Sequence, residues 1–219
     1  VASKVATWSQ ELCKLTDFAR SQPQAAYSAL VNSLQHRWSF LCRVLDGAAE
    51  QLAPLEDIIH RRLIPAISGR TAPSEAERIL LTFPCRHGGL GVANPATFGS
   101  QYGTSRLITT ALYDKIMAQE EHLDDALACV RRAKSQARSE ARKAMKIAAD
   151  TFRTEHSELD LAISLAEEKG ASSWLTCRPI ARHGFALSKG EFRDGLCLRY
   201  GWTPSRLPTT CVCEKAFTT

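Results

Sequence analysis

Residues 64–95 read IPAISGRTAPSEAERILLTFPCRHGGLGVANP, and the path of the chain through them decides how the flanking helices are arranged. They hold four of the nine prolines (Pro65, Pro73, Pro84, Pro95) and four of the twelve glycines (Gly69, Gly88, Gly89, Gly91). Proline fixes φ and lacks an amide donor, while glycine tolerates φ > 0, so turn chemistry sets the backbone here. One short helix is predicted inside the stretch. Ser74 and Glu77 form a capping box, Ile79, Leu80, Leu81 and Phe83 are its apolar residues, and Pro84 stops it. Arg86 and His87 then lead into Gly88-Gly89-Leu90-Gly91. That cluster lacks the Lys-Ser/Thr of a phosphate loop, and no strand pattern precedes it as a dinucleotide fingerprint requires. Its glycines therefore serve turns, and the stretch reads as an exposed, turn-rich elbow between helical layers.

Working outward, helical spacing appears on both sides. Trp8, Leu12, Leu15 and Ala19 recur at steps of four and three, Pro23 suits the first residue of the next helix, and Tyr27, Leu30, Leu34, Trp38 and Leu41 continue the pattern. Asp46-Gly47 offers an exit, and Pro54 opens a further helix through Leu55, Ile58, Ile59 and Leu63. Tyr102 to Met117 carries a fainter helical signal. From Glu120 the pattern strengthens into a long helix, with Leu123, Leu127, Val130, Ala137, Ala141, Ala144 and Ala148 as an alanine-rich seam. Thr151 to Lys169 is expected to continue helically until Gly170. Ser188 and Glu191 form a second capping box, opening a short helix that ends before Gly201.

The fold class expected is therefore mainly α. Residues 1–115 form a helical bundle with its elbow at 64–95, residues 116–170 the long basic helix and the helix after it, and residues 171–219 a small α-rich connector. The connector looks cut off before it is finished, and the chain opens on Val1, so both ends read as cuts through a longer polypeptide.

With 44% hydrophobic and 23% charged residues, the composition is that of a globular protein rather than a disordered or fibrous one. No run of 18 apolar residues occurs, which excludes a bilayer-spanning helix and a membrane partner of that kind. Cys13, Cys42, Cys85, Cys129, Cys177 and Cys197 stand singly along helical patterns, unlike the dense spacing of secreted disulfide scaffolds. Buried free thiols and an intracellular location are expected.

The net charge of +5 is modest, but its distribution is uneven. From Arg131 to Lys146 seven basic residues meet one acid, Glu140. Arg131, Lys134, Arg138, Arg142 and Lys146 step by three or four along one edge of the helix, where an ordinary surface helix interleaves acids for i,i+4 pairing. These five are the candidate phosphate contacts to nucleic acid. Asp124-Asp125 is an adjacent carboxylate pair, but neighbours on a helix point about 100° apart, so it reads as solvated surface. Cys211-x-Cys213 is an incomplete metal site, since tetrahedral zinc takes four ligands. No catalytic residue can be assigned from spacing alone.

Several blocks together resemble the region downstream of the reverse transcriptase palm in non-LTR-retrotransposon-like proteins. They are residues 21–27 (SQPQAAY), Trp38 to Arg43, Pro54-Leu55-Glu56, residues 64–70 (IPAISGR), residues 88–95 (GGLGVANP), Trp174-Leu175, Glu191-Phe192, Leu198 to Gly201, and Cys211-x-Cys213. The resemblance implies a helical thumb, then a linker ending in a Cys-Cys-His-Cys zinc knuckle, with an endonuclease domain in many members. It implies RNA template or RNA/DNA duplex, and the parent protein's other domains, as partners. The palm's catalytic Asp-Asp has no match here, so this part is expected to be non-catalytic. Cys211 and Cys213 match the first two knuckle ligands; the remaining His and Cys would follow Thr219, so zinc is expected only in a longer protein. The rival expectation is a helical protein-interaction scaffold, whose alanine seam packs on a partner helix without nucleic acid.

Overall fold

Proline placement sets where the helical rods begin and how they bend. The computed structural model describes residues 1–45, 47–97, 110, 112–119, 122–204 and 210, and among these the chain is helical with no β-strand. Helix α1 (Ala2–Ala19) buries Val5, Trp8, Leu12, Thr16 and Ala19. Thr16 belongs to that buried face because its hydroxyl donates to the Leu12 carbonyl at 2.8 Å, which removes the cost of an unpaired polar group. Pro23 is the first residue of α2 (Pro23–Ala29), where its missing amide is one that the helix start leaves unpaired anyway.

Two widened turns interrupt otherwise continuous rods. Between α2 and α3 (Gln35–Val44), residues Leu30–Leu34 form a π turn in which the Gln35 amide bonds Leu30, five residues back. Between α4 (Ala53–Ile58) and α5 (Ile64–Ser68) lies a second, Ile59–Leu63, with the Ile64 amide on Ile59. The second has a plain cause. Pro65 offers no amide and its ring presses on the carbonyl four residues back, and widening the turn absorbs both defects without ending the rod. Gly69 then closes α5 in the left-handed region at φ 76°.

Helix α6 (Glu75–Thr82) has both arms of the expected capping box: the Glu77 amide donates to Ser74 Oγ at 3.2 Å and the Ser74 amide to Glu77 Oε2 at 2.8 Å. Of the fainter helical signal from Tyr102 to Met117, residues 112–117 are helical and residues 102–109 and 111 lie outside the described residues; helix α7 (Leu123–Glu155) comes next, 33 residues and therefore about 50 Å long. It does not run on through Lys169. His156 leaves helical geometry (φ −125°, ψ 64°), a short 3₁₀ turn Ser157–Leu159 reverses the chain, and α8 (Asp160–Glu167) lies back on the end of α7. Gly170, at φ 91°, turns the chain toward α9 (Ser173–Thr176), and α10 (Lys189–Tyr200) carries the second capping box.

A continuous core joins residues that lie far apart in the chain. Leu12, Leu30, Trp38, Leu55, Leu63, Leu80, Leu81, Val92, Phe152, Ile163, Leu175, Phe192 and Leu196 all belong to it. Burying each such side chain contributes about 1.5–3 kcal/mol. Edge-on aromatic pairs link its parts: Trp8 with Trp38 at 6.2 Å, Phe83 with Phe152 at 5.5 Å, and Trp174 with Phe192 at 5.5 Å. Helix α10 packs on α2, α5 and α8, so residues 189–200 share their core with the first helices.

The largest departure from expectation is the elbow. Gly88, Gly89, Leu90 and Val92 are buried, so the turn-rich stretch is a central junction rather than an exposed elbow. Burial is possible because its backbone polar groups are taken by side chains from elsewhere. Tyr27 donates to the Leu90 carbonyl at 2.7 Å and Tyr200 to Gly88 at 3.0 Å. Arg199 donates to Cys85 at 2.9 Å and Gly89 at 3.2 Å, and Arg78 to Val92 at 2.8 Å and Ala93 at 3.2 Å. The Gln35 amide bridges Val31 and Gly91 (3.0 and 3.2 Å) and accepts from the Ala93 amide at 3.3 Å. Here the first π turn acquires a role, because moving the Gln35 amide to Leu30 frees the Val31 carbonyl for the Gln35 side chain.

Candidate nucleic-acid interface

Helix α7 stands out because most of its residues are exposed. Ala126, Ala149 and Phe152 are its buried residues; between them Ala133, Lys134, Ala137 and Met145 are half-buried, and the other six basic residues of 131–146 are exposed. At 100° per residue, Arg131, Lys134, Arg138, Arg142 and Lys146 fall in a sector of about 120°, while Glu140 lies about 180° from Arg131. Glu140 accepts from Gln136 at 2.9 Å on its own side of the helix. Among the described residues none of the five cations has an ion-pair partner. The structure thus brings the five predicted residues onto one face, which carries no acid between residues 131 and 146.

The direction of that face follows from the anchored end. Met145, Ala149 and Phe152 pack into or against the core. Counting back from Phe152 by three and four gives Ala149, Met145, Arg142 and Arg138. The basic line is the core-facing line of the same helix, continued past the edge of the body. On that line Arg138 and Arg142, like Arg131 and Lys146 beside it, are exposed to solvent. The sequence showed the stripe; that its line runs on into an apolar anchor becomes visible only once Phe152 is known to be buried.

Charged contacts fix the root of the arm. The Arg153 guanidinium donates to Asp160 and Ser164 and lies 3.4 Å from Glu167. The hydrogen bond to Asp160 pushes the Arg153 pKa further up, so this cation is permanent. Glu167 also sits 3.6 Å from His87 Nδ1, which ties α8 to the turn before Gly88. Asp124 and Asp125 occupy the exposed first turn of α7, where acids complement the helix dipole, as their reading as solvated surface required.

Among the described residues the thiols of Cys13, Cys42, Cys85, Cys129, Cys177 and Cys197 are free, as expected. Of these six, Cys42 and Cys197 are buried, and burial pushes both thiols up in pKa; the other four are half-exposed. Cys211 and Cys213 lie outside the described residues. Among the described residues no cluster of His, Cys, Asp and Glu could hold a metal ion, and no helix is long and apolar enough to cross a membrane. Sequence reasoning did not single out Arg78, Arg193 or Arg199, whose guanidinium groups turn inward onto backbone carbonyls. No periodic signal distinguishes such an arginine from a solvated one.

No protein family, curated protein or solved structure matches the chain.

Proposed function

We propose that this chain is a non-catalytic thumb-and-linker part of a retroelement reverse transcriptase, and that α7 grips the template RNA or the RNA/DNA duplex. The observation that carries the reading is the continuous line from Arg138 and Arg142 through Met145 to Phe152. A long helix rooted in a core, with exposed cations that have no ion-pair partner on the line that continues its anchored side, suits an extended polyanion lying along it. Cations at one-turn intervals meet a sugar–phosphate backbone without reading bases, as a polymerase accessory element must. Cys211 and Cys213 offer two of the four ligands a zinc knuckle takes, and the parent protein would supply the others.

Fluorescence anisotropy with a labelled 20-base-pair RNA duplex tests this. Five or six phosphate contacts make affinity fall on the order of a thousandfold between 50 and 200 mM salt. The double substitution Arg138→Glu/Arg142→Glu should remove most of the binding; unchanged affinity defeats the assignment.

One observation favours a second reading, that of a protein-interaction scaffold. Ala141, Ala144 and Ala148 are exposed beside the basic line, with Ile147 also in solvent. Salt-insensitive association with a protein, together with no binding to nucleic acid, would select it.

A further inference from the structure

The cleft below the elbow carries an inference of its own, independent of the arm. It has a volume of about 350 Å³ and lies between α2 (Tyr27, Val31, Asn32), the elbow (Cys85, Arg86, Leu90) and α9 (Leu175, Thr176). That volume falls in the range of small-ligand sites.

Its three walls share one property. No Asp or Glu occurs from residue 18 to 45, from 78 to 113, or from 169 to 190. The fold brings these three acid-free segments together around one opening. Arg86, exposed and donating to the neighbouring His87 ring at 3.1 Å, lines it, and the loop leaving α9 adds exposed Arg178 and Arg182. Arg178 has no ion-pair partner among the described residues, and Arg182 donates only to the neighbouring His183 ring at 3.2 Å.

The same loop presents an aromatic surface on a braced backbone. Phe185 is 50% exposed and its ring lies 6.1 Å from that of His183. Gln24, buried on α2, accepts from the Leu187 amide at 2.7 Å and donates to the Phe185 carbonyl at 3.0 Å. A buried side chain thus holds the loop at both ends of the Phe185 segment, which lowers the ordering cost when a ligand stacks there. An exposed phenyl ring on a loop that also carries the exposed Arg178 and Arg182, with no carboxylate in the three segments, has the chemistry of a single-strand platform: bases stack while phosphates meet the cations.

We infer that the α9–α10 loop and the adjoining cleft form a second nucleic-acid site, which takes a single strand by stacking a base on Phe185 and seating phosphates on Arg86, Arg178 and Arg182. The probes are fluorescein-labelled ten-nucleotide oligo-rU and oligo-dT, titrated by anisotropy into the whole chain. Phe185→Ala should weaken binding roughly five- to a hundredfold, and Phe185→Trp should restore it. Arg178→Gln/Arg182→Gln should lower the salt slope by about 1.4, two contacts at about 0.7 each for single strands. Stronger binding of oligo-rU names RNA as the source of the strand, and equal binding names the chemistry shared with DNA. Affinity for both oligomers that is unmoved by Phe185→Ala overturns the site, as does an equal loss of 20-base-pair duplex binding. The Arg138→Glu/Arg142→Glu variant separates the two readings. It should lose duplex and keep the oligomers, so failure of the arm leaves this site standing and failure of this site leaves the arm.

Discussion

Arg78 meets Glu56 through two parallel hydrogen bonds, Nε to Oε1 and Nη2 to Oε2, both 2.7 Å long, with Arg78 only 3% exposed. Its remaining donors reach the Val92 and Ala93 carbonyls, so one guanidinium joins α4 and α6 to the segment after Gly91. Planarity makes this possible: a lysine ammonium could not satisfy a carboxylate fork and two carbonyls at once.

Glu56→Ala should accordingly cost about 3–5 kcal/mol, because it leaves the cation buried and without its counter-charge. For a chain of this length that lowers the melting temperature by roughly 10 °C. Combining it with Arg78→Met should cost much less than the sum of the single changes. Calorimetry of the four proteins in the cycle decides; additive losses would show that the fork carries no coupling.

Gly89 is required by space rather than by conformation. Its φ is not in the left-handed region, yet a Cβ built on it would lie 1.9 Å from the Phe83 carbonyl oxygen and 2.6 Å from that of Leu80. Both are backbone atoms and cannot step aside. Gly89→Ala should therefore cost at least as much as an overpacked core, about 1–3 kcal/mol or more, measured by urea unfolding. By contrast nothing lies within 4 Å of a Cβ at Gly47, so Gly47→Ala meets only the strain of its φ of 63°.

These contacts show why some of the fold could be read from the sequence and some could not. Both capping boxes and the Pro23 start are written within four residues, and local hydrogen bonds enforce them. The basic face of α7 is likewise a matter of helical period. Burial of the elbow is different in kind. Its glycines looked like a solvated turn because the groups that satisfy it, Tyr27, Gln35, Arg199 and Tyr200, lie roughly 55 to 110 residues away and have no spacing rule. The break at His156 was missed for a related reason. The period continues through residues 151–166, and only the docking of Arg153 on Asp160 and Ser164 shows where the chain doubles back.

Two of the four tyrosines should resist titration in the folded protein. Burial is the main cause that pushes the Tyr27 and Tyr200 hydroxyls well above the ordinary phenol value, and both act as donors to elbow carbonyls. A raised folded-state pKa contributes stability below the unfolded value, and that stability is lost as pH rises through and beyond it. Unfolding should therefore become easier from about pH 10 upward. Tyrosinate absorbance should rise in two stages, the second coinciding with loss of helical circular dichroism. Tyr27→Phe/Tyr200→Phe should remove the second stage and make stability flatter in alkali, at the cost of two hydrogen bonds at neutral pH. A single-stage titration of all tyrosines with the helices intact would contradict this account.

The arm offers a way to separate charge from placement. Phe152 is buried, packs edge-on against Phe83 at 5.5 Å, and stacks with His156 at 4.4 Å, so it sets how α7 leaves the body. Phe152→Ala should cost about 3–5 kcal/mol of local packing. It leaves all five cations in place. If α7 receives an RNA duplex in the placement its root gives it, that substitution should weaken duplex binding while the salt slope changes little. Loose cations still release counterions when they reach phosphates, but the entropy of ordering the arm must then be met at each binding event. Phe152→Leu refills most of the cavity and should recover the larger part of the affinity. Anisotropy at two salt concentrations, with helical content followed by circular dichroism, makes the comparison. Full duplex affinity in Phe152→Ala would mean that α7 binds as an independent basic helix, for which the orientation of its root is irrelevant.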